Sequence, residues 1–322
     1  MTQSSEALVV PVTRVDPPRP RWWRTPSGRE RLWGYVFISP WLIGLALFTL
    51  GPMIAALVLS LTDFNLVRPE ATKFIGFDNY IRMASDPSVA KAIQVTFVFA
   101  AIAIPLTMLS SLTFAALLNS KRLFGKSFFR TLFYMPVQIP LVASTLVWIG
   151  FLNTETGWLN QILGSVGLPQ PDWINSETWI YPALSMIGLW AIGNFMIINI
   201  AGLQSVPTEL YEAARIDGAG VWQSFRRITI PLISPVLFYN LVIVLIGTFQ
   251  YFTQAYVMTN GRGDPNNATL FINLVLFREG FVFNHMGYAA AIAWLLFVIV
   301  LVLTLCLFWF TRGRVYYAGG ER

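Results

Sequence analysis

The stretch VPTELYEAARIDGAGVWQSFRRITIPLISP, residues 206–235, separates two of the most apolar parts of the chain. Thr208 can cap a helix carrying Leu210, Tyr211, Ala213 and Ala214, because a side-chain hydroxyl accepts from a free N–H of the first turn. Gly218 and Gly220 end that helix, since glycine tolerates the dihedrals of a sharp bend. Trp222, Phe225 and Ile228 then recur at spacings of three and make a second apolar stripe. Pro231 and Pro235 mark the return to an apolar run. Two short amphipathic helices with a glycine elbow form a knob able to dock in a partner's groove. A helix pair lying on a surface is the simpler alternative.

On either side, 179–208 and 228–261 contain no Asp, Glu, Lys or Arg, and four more such gaps cover 33–62, 92–120, 131–154 and 280–311. About 20 helical residues cross the hydrocarbon core, so each gap holds one span. Of 322 residues, 55% are hydrophobic and 12% charged, against roughly 25% charged in a soluble domain. The fold class is therefore all-α, a polytopic membrane protein with spans near 33–61, 92–118, 131–151, 179–203, 234–258 and 286–310. These spans make one transmembrane domain, 33–312, between a basic, Pro-rich tail, 1–32, and a short tail, 313–322. The first span is too long, and its tail too extended, for a cleaved signal peptide.

Orientation follows from Lys and Arg. The seven non-membrane segments carry 6, 4, 4, 0, 3, 2 and 3 of them, so alternate segments hold 16 and 6. The richer side is cytoplasmic, which places both termini inside and the chain in a plasma membrane. The formal charge of +6 serves topology and lipid headgroups rather than nucleic acid. Trp22, Trp23, Trp33, Trp41, Tyr316 and Tyr317 fall where interfacial anchors belong.

The spans contain no ionisable carboxylate or amine. This excludes intramembrane aspartyl chemistry and argues against a proton-coupled carrier. A serine nucleophile has no base partner, and one Cys (Cys306) and one His (His285) make no metal framework. No catalytic or metal-binding residue is assigned, and His285 reads as a solvated interfacial residue. Neutral polar groups stand in the spans instead: Gln94, Gln138, Asn194, Asn199, Asn240, Thr248, Gln250, Tyr251, Thr253 and Gln254. Buried amides in hydrocarbon need partners, so these face protein or water. They serve either as interhelical glue or as a path. On a continuous helix, Thr248 with Tyr251 and Gln250 with Gln254 occupy neighbouring faces. Uncharged donors beside aromatic rings suit a neutral polyhydroxyl ligand, so Trp190, Asn194, Thr248, Tyr251 and Gln254 are candidate path residues.

Glu212-Ala213-Ala214, Asp217-Gly218-Ala219, Phe225, Ile228, Pro231 and Pro235 resemble the EAA loop of ATP-binding-cassette importer permeases of the carbohydrate-uptake branch. Ile230 stands where that branch usually has Leu. YVFISPWLIGL (35–45), GPMIAALVLSLTDF (51–64), FIGFDNY (74–80), FFRTLFYMP (128–136), TNGRGDPNNATL (259–270) and MGYAAAIAW (286–294) are similar to the same branch. The likeness covers roughly 30–312 and implies a type I ABC importer permease fold. It further implies that the loop, 206–233, couples a separate ATPase to the pore through Glu212, Ala213, Ala214, Asp217, Gly218, Ala219, Phe225 and Pro231.

The chain has no P-loop, because Ser120 stands where the first glycine before Gly125-Lys126-Ser127 is needed. The resemblance thus implies a non-enzymatic permease with no cofactor of its own, ATP and Mg being bound by the ATPase. The implied partners are a second, dissimilar permease, two ATPase copies, an extracytoplasmic solute-binding protein and a neutral sugar. The alternatives are a permease for another small solute such as glycerol phosphate, and a membrane docking or sensor subunit that moves nothing.

Overall fold

The computed structural model describes residues 26–120 and 123–312. Trp22, Trp23, Tyr316, Tyr317, the tail 313–322 and most of the tail 1–32 lie outside the described residues. The described residues divide into two units, the first ending at Ala55 and the second beginning at Ala56.

In the first unit, α1 (Pro26–Leu45) passes through a π turn (Ala46–Leu50) into α2 (Gly51–Ser60), whose residues from Ala56 on belong to the second. Pro52 lacks the N–H that the Phe48 carbonyl would accept. The backbone widens there, and the Gly51 N–H donates to the Ala46 carbonyl instead. Trp33 and Trp41 are exposed on this helix.

In the second unit, a 3₁₀ turn (Pro69–Ala71) leads to α3 (Asp78–Ser85) and α4 (Pro87–Asn119). Next come α5 (Lys126–Tyr134), a 3₁₀ turn (Met135–Gln138), α6 (Leu141–Phe151) and α7 (Trp158–Ser165). They are followed by α8 (Ile180–Trp190), α9 (Gly193–Gln204), α10 (Thr208–Ile216) and α11 (Val221–Ser224). A π turn (Phe225–Thr229), α12 (Ile230–Leu232), α13 (Ser234–Phe249) and α14 (Thr253–Thr259) lead on to α15 (Ile272–Phe277). A last π turn (Arg278–Val282) precedes α16 (Met286–Thr311). Among the described residues, β structure is confined to two isolated bridges.

Glu30–Ser60, Pro87–Asn119, Ser234–Thr259 and Met286–Thr311 are each long and apolar enough to cross a membrane. Two bent pairs supply the other spans and depart from the straight helices expected. Over 131–151 the chain turns by 103° between Gln138 and Leu141. Pro140 forces the preceding Ile139 into extended backbone (ψ 129°), and Pro136 and Pro140 remove two helical donors. Over 179–203 the bend is 54°, between Trp190 and Gly193. Gly193 sits so close to α5 that a Cβ would lie 2.7 Å from the Phe133 carbonyl oxygen. The helix of 234–258 is also interrupted, at Gln250–Phe252. The spacing argument for Thr248 with Tyr251, and for Gln250 with Gln254, therefore does not hold as stated, because no single helix carries these pairs.

α4 is the central post. Val89, Ala92 and Ala100 join one buried cluster with α13, α15 and α16. Val95 and Phe99 join a second with α8 and Phe271, and Ala115 and Leu118 a third with α9. Polar groups cross the same contacts. Asn240 Nδ2 donates to Asn199 Oδ1 at 2.8 Å, and Asn199 Nδ2 to Ser111 Oγ at 3.2 Å. Asn199 and Asn240 are fully buried, so these two amides are glue between α4, α9 and α13. Thr96 Oγ1 accepts from the Ile272 N–H at 3.2 Å and so satisfies the first turn of α15. At the other end of the unit, Asn79 Nδ2 donates to the carbonyls of Ser60 and Thr62, both at 2.8 Å.

Asn199→Leu leaves Asn240 Nδ2 without its closest acceptor. It should lower stability by about 1 kcal/mol, read as a lower thermal unfolding midpoint in detergent; an unchanged midpoint would remove the clamp from the account.

Candidate functional site

The loop 206–233 is built as a rigid bracket. Thr208 is the first residue of α10 rather than its cap; Pro207 takes that position, and no side chain caps the helix. At the far end the chain reverses through Gly218, at φ +77°. The Gly218 N–H donates to the Arg215 carbonyl (3.1 Å) and the Ala219 N–H to the Ala214 carbonyl (2.8 Å). This pair of bonds is the Schellman helix stop, which needs a left-handed residue at this position. The Tyr211 hydroxyl meets Thr229 Oγ1 at 2.7 Å and ties the two arms together. Tyr211, Ile228 and Ile230 pack on the cluster of Leu118, Met196, Ile200, Leu203 and Ile233. The bracket is thereby mounted on α4, α9 and the start of α13.

Its tip is bare. Ile216, Val221 and Trp222 are 87%, 90% and 72% exposed. Glu212, Ala213, Asp217 and Gly218 are exposed beside them, while Ala214, Ala219 and Phe225 are partly covered. The Phe225 ring stacks on Trp222 at 5.7 Å, and Pro231 lies in α12, on the far side of the π turn.

Within the bundle, a cavity of about 310 Å³ opens where α4, α8, α9 and α13 meet the break after Phe249. Phe99, Thr107, Ser185, Phe195, Thr248, Tyr251 and Gln254 are among its walls, and none of the lining residues is charged. Two lining residues, Ser185 and Tyr251, carry buried oxygens with no hydrogen-bond partner in the protein, Ser185 Oγ and the Tyr251 hydroxyl. The Tyr251 ring is fixed against Phe99 (4.8 Å) and Phe271 (5.0 Å). Thr248 Oγ1 donates to the Val244 carbonyl at 2.7 Å, which leaves its lone pairs available.

Of the five expected path residues, Thr248, Tyr251 and Gln254 thus share one cavity. Trp190 and Asn194 are not on its wall. Trp190 meets Trp148 edge to face at 6.0 Å, and Asn194 is exposed in the first turn of α9. Sequence reading missed Ser185, a small polar residue in an apolar helix with nothing local to distinguish it from glue.

On the outer side, the segment 152–178 is pinned by side chains. Asn160 Nδ2 donates to the carbonyls of Thr154 (3.0 Å) and Pro171 (3.1 Å), and Trp173 Nε1 donates to Asn160 Oδ1 (2.8 Å). Asp172 Oδ1 accepts from Thr154 Oγ1 (2.8 Å) and from the Asn175 N–H (3.1 Å). Burial pushes the Asp172 carboxyl up, but its hydrogen bonds from Asn175, Thr154 and the Ile174 backbone outweigh that and hold it below its ordinary value. His285 is not merely solvated: its Nδ1 lies 2.9 Å from Glu279 Oε2, which also faces Arg82 at 3.5 Å.

The sequence matches the family model described as binding-protein-dependent transport system inner membrane component over residues 111–313. The probable ABC transporter permease protein YesP of Bacillus subtilis is 38% identical over 296 residues, covering 91% of this chain and 94% of that protein. The lactose transport system permease protein LacF of Rhizobium radiobacter is 32% identical over 285 residues, covering 87% and 94%. A chain of the bacterial alginate ABC transporter, crystallised with an alginate pentasaccharide-bound periplasmic protein, shares the fold at TM-score 0.74 and 23% identity. That match covers 90% of this chain and 96% of the other.

Because its folded-state value is depressed, Asp172 stabilises the outer segment above the ordinary carboxylate range of about 3.9 and loses that contribution as pH falls through the lower folded value. Amide exchange of 153–176, corrected for intrinsic rate, should accelerate in that acid window in the wild type, and at neutral pH in Asp172→Ala. Equal protection in both proteins at neutral pH would show that the carboxylate does not hold the segment.

Proposed function

This chain belongs to the binding-protein-dependent transport system inner membrane components, in their carbohydrate-uptake branch, and from that premise we propose that it carries a neutral sugar through the cavity beside Tyr251, driven by an ATPase docked on the loop 206–233. A solute-binding protein delivers the sugar at the outer face. A second, dissimilar permease completes the pore, and two ATPase copies bind ATP and Mg at the cytoplasmic face. The pore alternates between outward and inward states as the ATPase dimer closes and opens. The chain performs no covalent chemistry itself.

The observation that carries this reading is the cavity wall itself, which has no charged residue and includes the polar residues Thr107, Ser185, Thr248, Tyr251 and Gln254. Uncharged groups of this kind hydrogen-bond sugar hydroxyls at about 0.5–1.5 kcal/mol each, and the Ser185 and Tyr251 hydroxyls, closed off and unpartnered in this state, become available once the wall shifts. The rings of Phe99, Phe195 and Tyr251 on the same wall offer apolar faces to sugar C–H groups. The lack of any cation on the wall disfavours a phosphorylated solute such as glycerol phosphate. A subunit that only senses needs no such cavity.

The bracket supports the coupling half of the proposal. Its tip presents apolar Ile216, Val221 and Trp222 with Glu212 and Asp217 beside them. That combination fits a groove with an apolar floor and a basic rim. Its base is fixed to three spans, so force applied at the tip reaches the helices that wall the cavity.

Co-purification from native membranes should recover a second six-span chain and an ATPase; recovery of this chain alone, under conditions gentle enough to hold other complexes, would defeat the assembly. Tyr251→Phe removes one hydroxyl without opening a void. It should raise the KM for uptake about three- to tenfold, the size of one uncharged hydrogen bond, and leave ATPase recovery unchanged. Unaltered uptake would assign Tyr251 to packing. Gly218→Pro cannot adopt φ +77° and loses the N–H bond to Arg215. It should abolish uptake and weaken ATPase recovery while membrane insertion is retained; normal uptake would remove the coupling role.

A further inference from the structure

Helix α7 has two apolar faces and uses only one of them inside the protein. Leu159 and Leu163 turn inward onto Leu152, Trp173 and Ala183, and Asn160, between them, is 2% exposed. On the adjoining flank Trp158, Ile162 and Val166 stand at spacings of four, and they are 71%, 57% and 65% exposed. Leu168, just beyond the helix, is 53% exposed. From Thr156 to Pro171 the sequence has no charged residue, and the whole segment 152–178 has no Lys or Arg.

The depth of α7 is fixed by what it packs on. Its inner face belongs to a cluster with Trp148 and Phe151, in the last turn of α6, and with Ala183 and Met186, in the first two turns of α8. At 1.5 Å per residue, these contacts hold α7 within about 5–10 Å of the outer ends of two spans. The Asn160 and Asp172 hydrogen bonds hold it there. In chain order the stripe follows the exposed flank of α6, made by Val142, Leu146 and Val147.

We propose that α7 is an interfacial anchor, with Trp158, Ile162, Val166 and Leu168 seated in the outer leaflet at the level of the headgroup–acyl boundary. The occupant of this face is lipid rather than protein or water. A helix held beside the last membrane turn lies at the depth where amphipathic helices bury their apolar face, about 5–10 Å into the boundary region. Tryptophan is the side chain enriched there. The absence of charge around the stripe fits a leaflet surface and lacks the polar rim that a protein-docking patch carries. The anchor holds the outer ends of α6 and α8 at a constant depth while other spans move. This inference rests on the membrane orientation and not on the identity of the solute.

The test is fluorescence quenching in nanodiscs made with nitroxide-labelled phosphatidylcholine. The full chain, together with the subunits that co-purify, carries Cys306→Ser and either Trp158→Cys or Ile162→Cys, each labelled with an environment-sensitive dye. Glu155→Cys, on the exposed turn before α7, reports water in the same fold and controls for misfolding. The expected result at 158 and 162 is blue-shifted emission. Headgroup-level and upper-chain nitroxides should quench it more than a nitroxide at the chain end, and aqueous iodide should quench it less than at 155. Iodide quenching equal to that at 155 would overturn the proposal by placing the face in water. Blue-shifted emission that neither lipid nitroxide nor iodide quenches would overturn it in favour of a protein partner. Loss of lipid quenching on adding the binding protein would do the same, and would name that partner.

Discussion

Every backbone N–H and C=O within the hydrocarbon has to find a partner inside the protein, and the rest of this structure depends on how α4 meets that constraint. α4 is one uninterrupted helix of 33 residues that continues through Pro105, whose missing N–H frees only the Ala101 carbonyl. Three of the spans beside it are interrupted or bent. Each break frees backbone groups, and the breaks after Trp190 and after Phe249 reach the cavity, through Ala191 and Tyr251. Thr96 supplies the acceptor that the first turn of α15 lacks, and Ser111 closes the amide chain from Asn240 through Asn199. An intact post allows its neighbours to be irregular where irregularity is useful.

The cavity is the product of that division. The interruption at Gln250–Phe252 places Tyr251 outside any helix, among the residues that line the cavity and with its ring clamped by Phe99 and Phe271. Below it, the same α4, α9 and α13 that wall the cavity carry the bracket of 206–233. The cavity and the bracket are thus two ends of one packed unit, with the amide chain joining its helices.

Much of the site was legible in the sequence, and for definite reasons. The elbow at Gly218 could be read because only glycine takes φ +77° there without strain, and apolar residues at spacings of three were enough to forecast two short helices, but not the tie from Tyr211 to Thr229 that joins them. Trp190 and Asn194 went the other way. Their spacing on an ideal helix gives no sign that the chain bends by 54° between them. Ser185 was invisible because a serine in an apolar helix looks the same whether it faces a neighbour or a void. Asn199 and Asn240 could be named as polar and buried, but whether they were path or glue depended on what stood opposite.

By itself, the sequence determined the class, the number and sidedness of the spans, the absence of intramembrane charge and the glycine elbow of the loop 206–233. All of these follow from hydrophobicity, charge and glycine or proline placement, which act locally along the chain. Only the tertiary structure decided where the spans break, which polar residues face the cavity and which face of α7 stays uncovered. Those outcomes depend on contacts between residues far apart in the chain, such as Gly193 against Phe133 or Thr96 against Ile272. No local pattern records them, because the groups that meet there are chosen by the packing of whole helices.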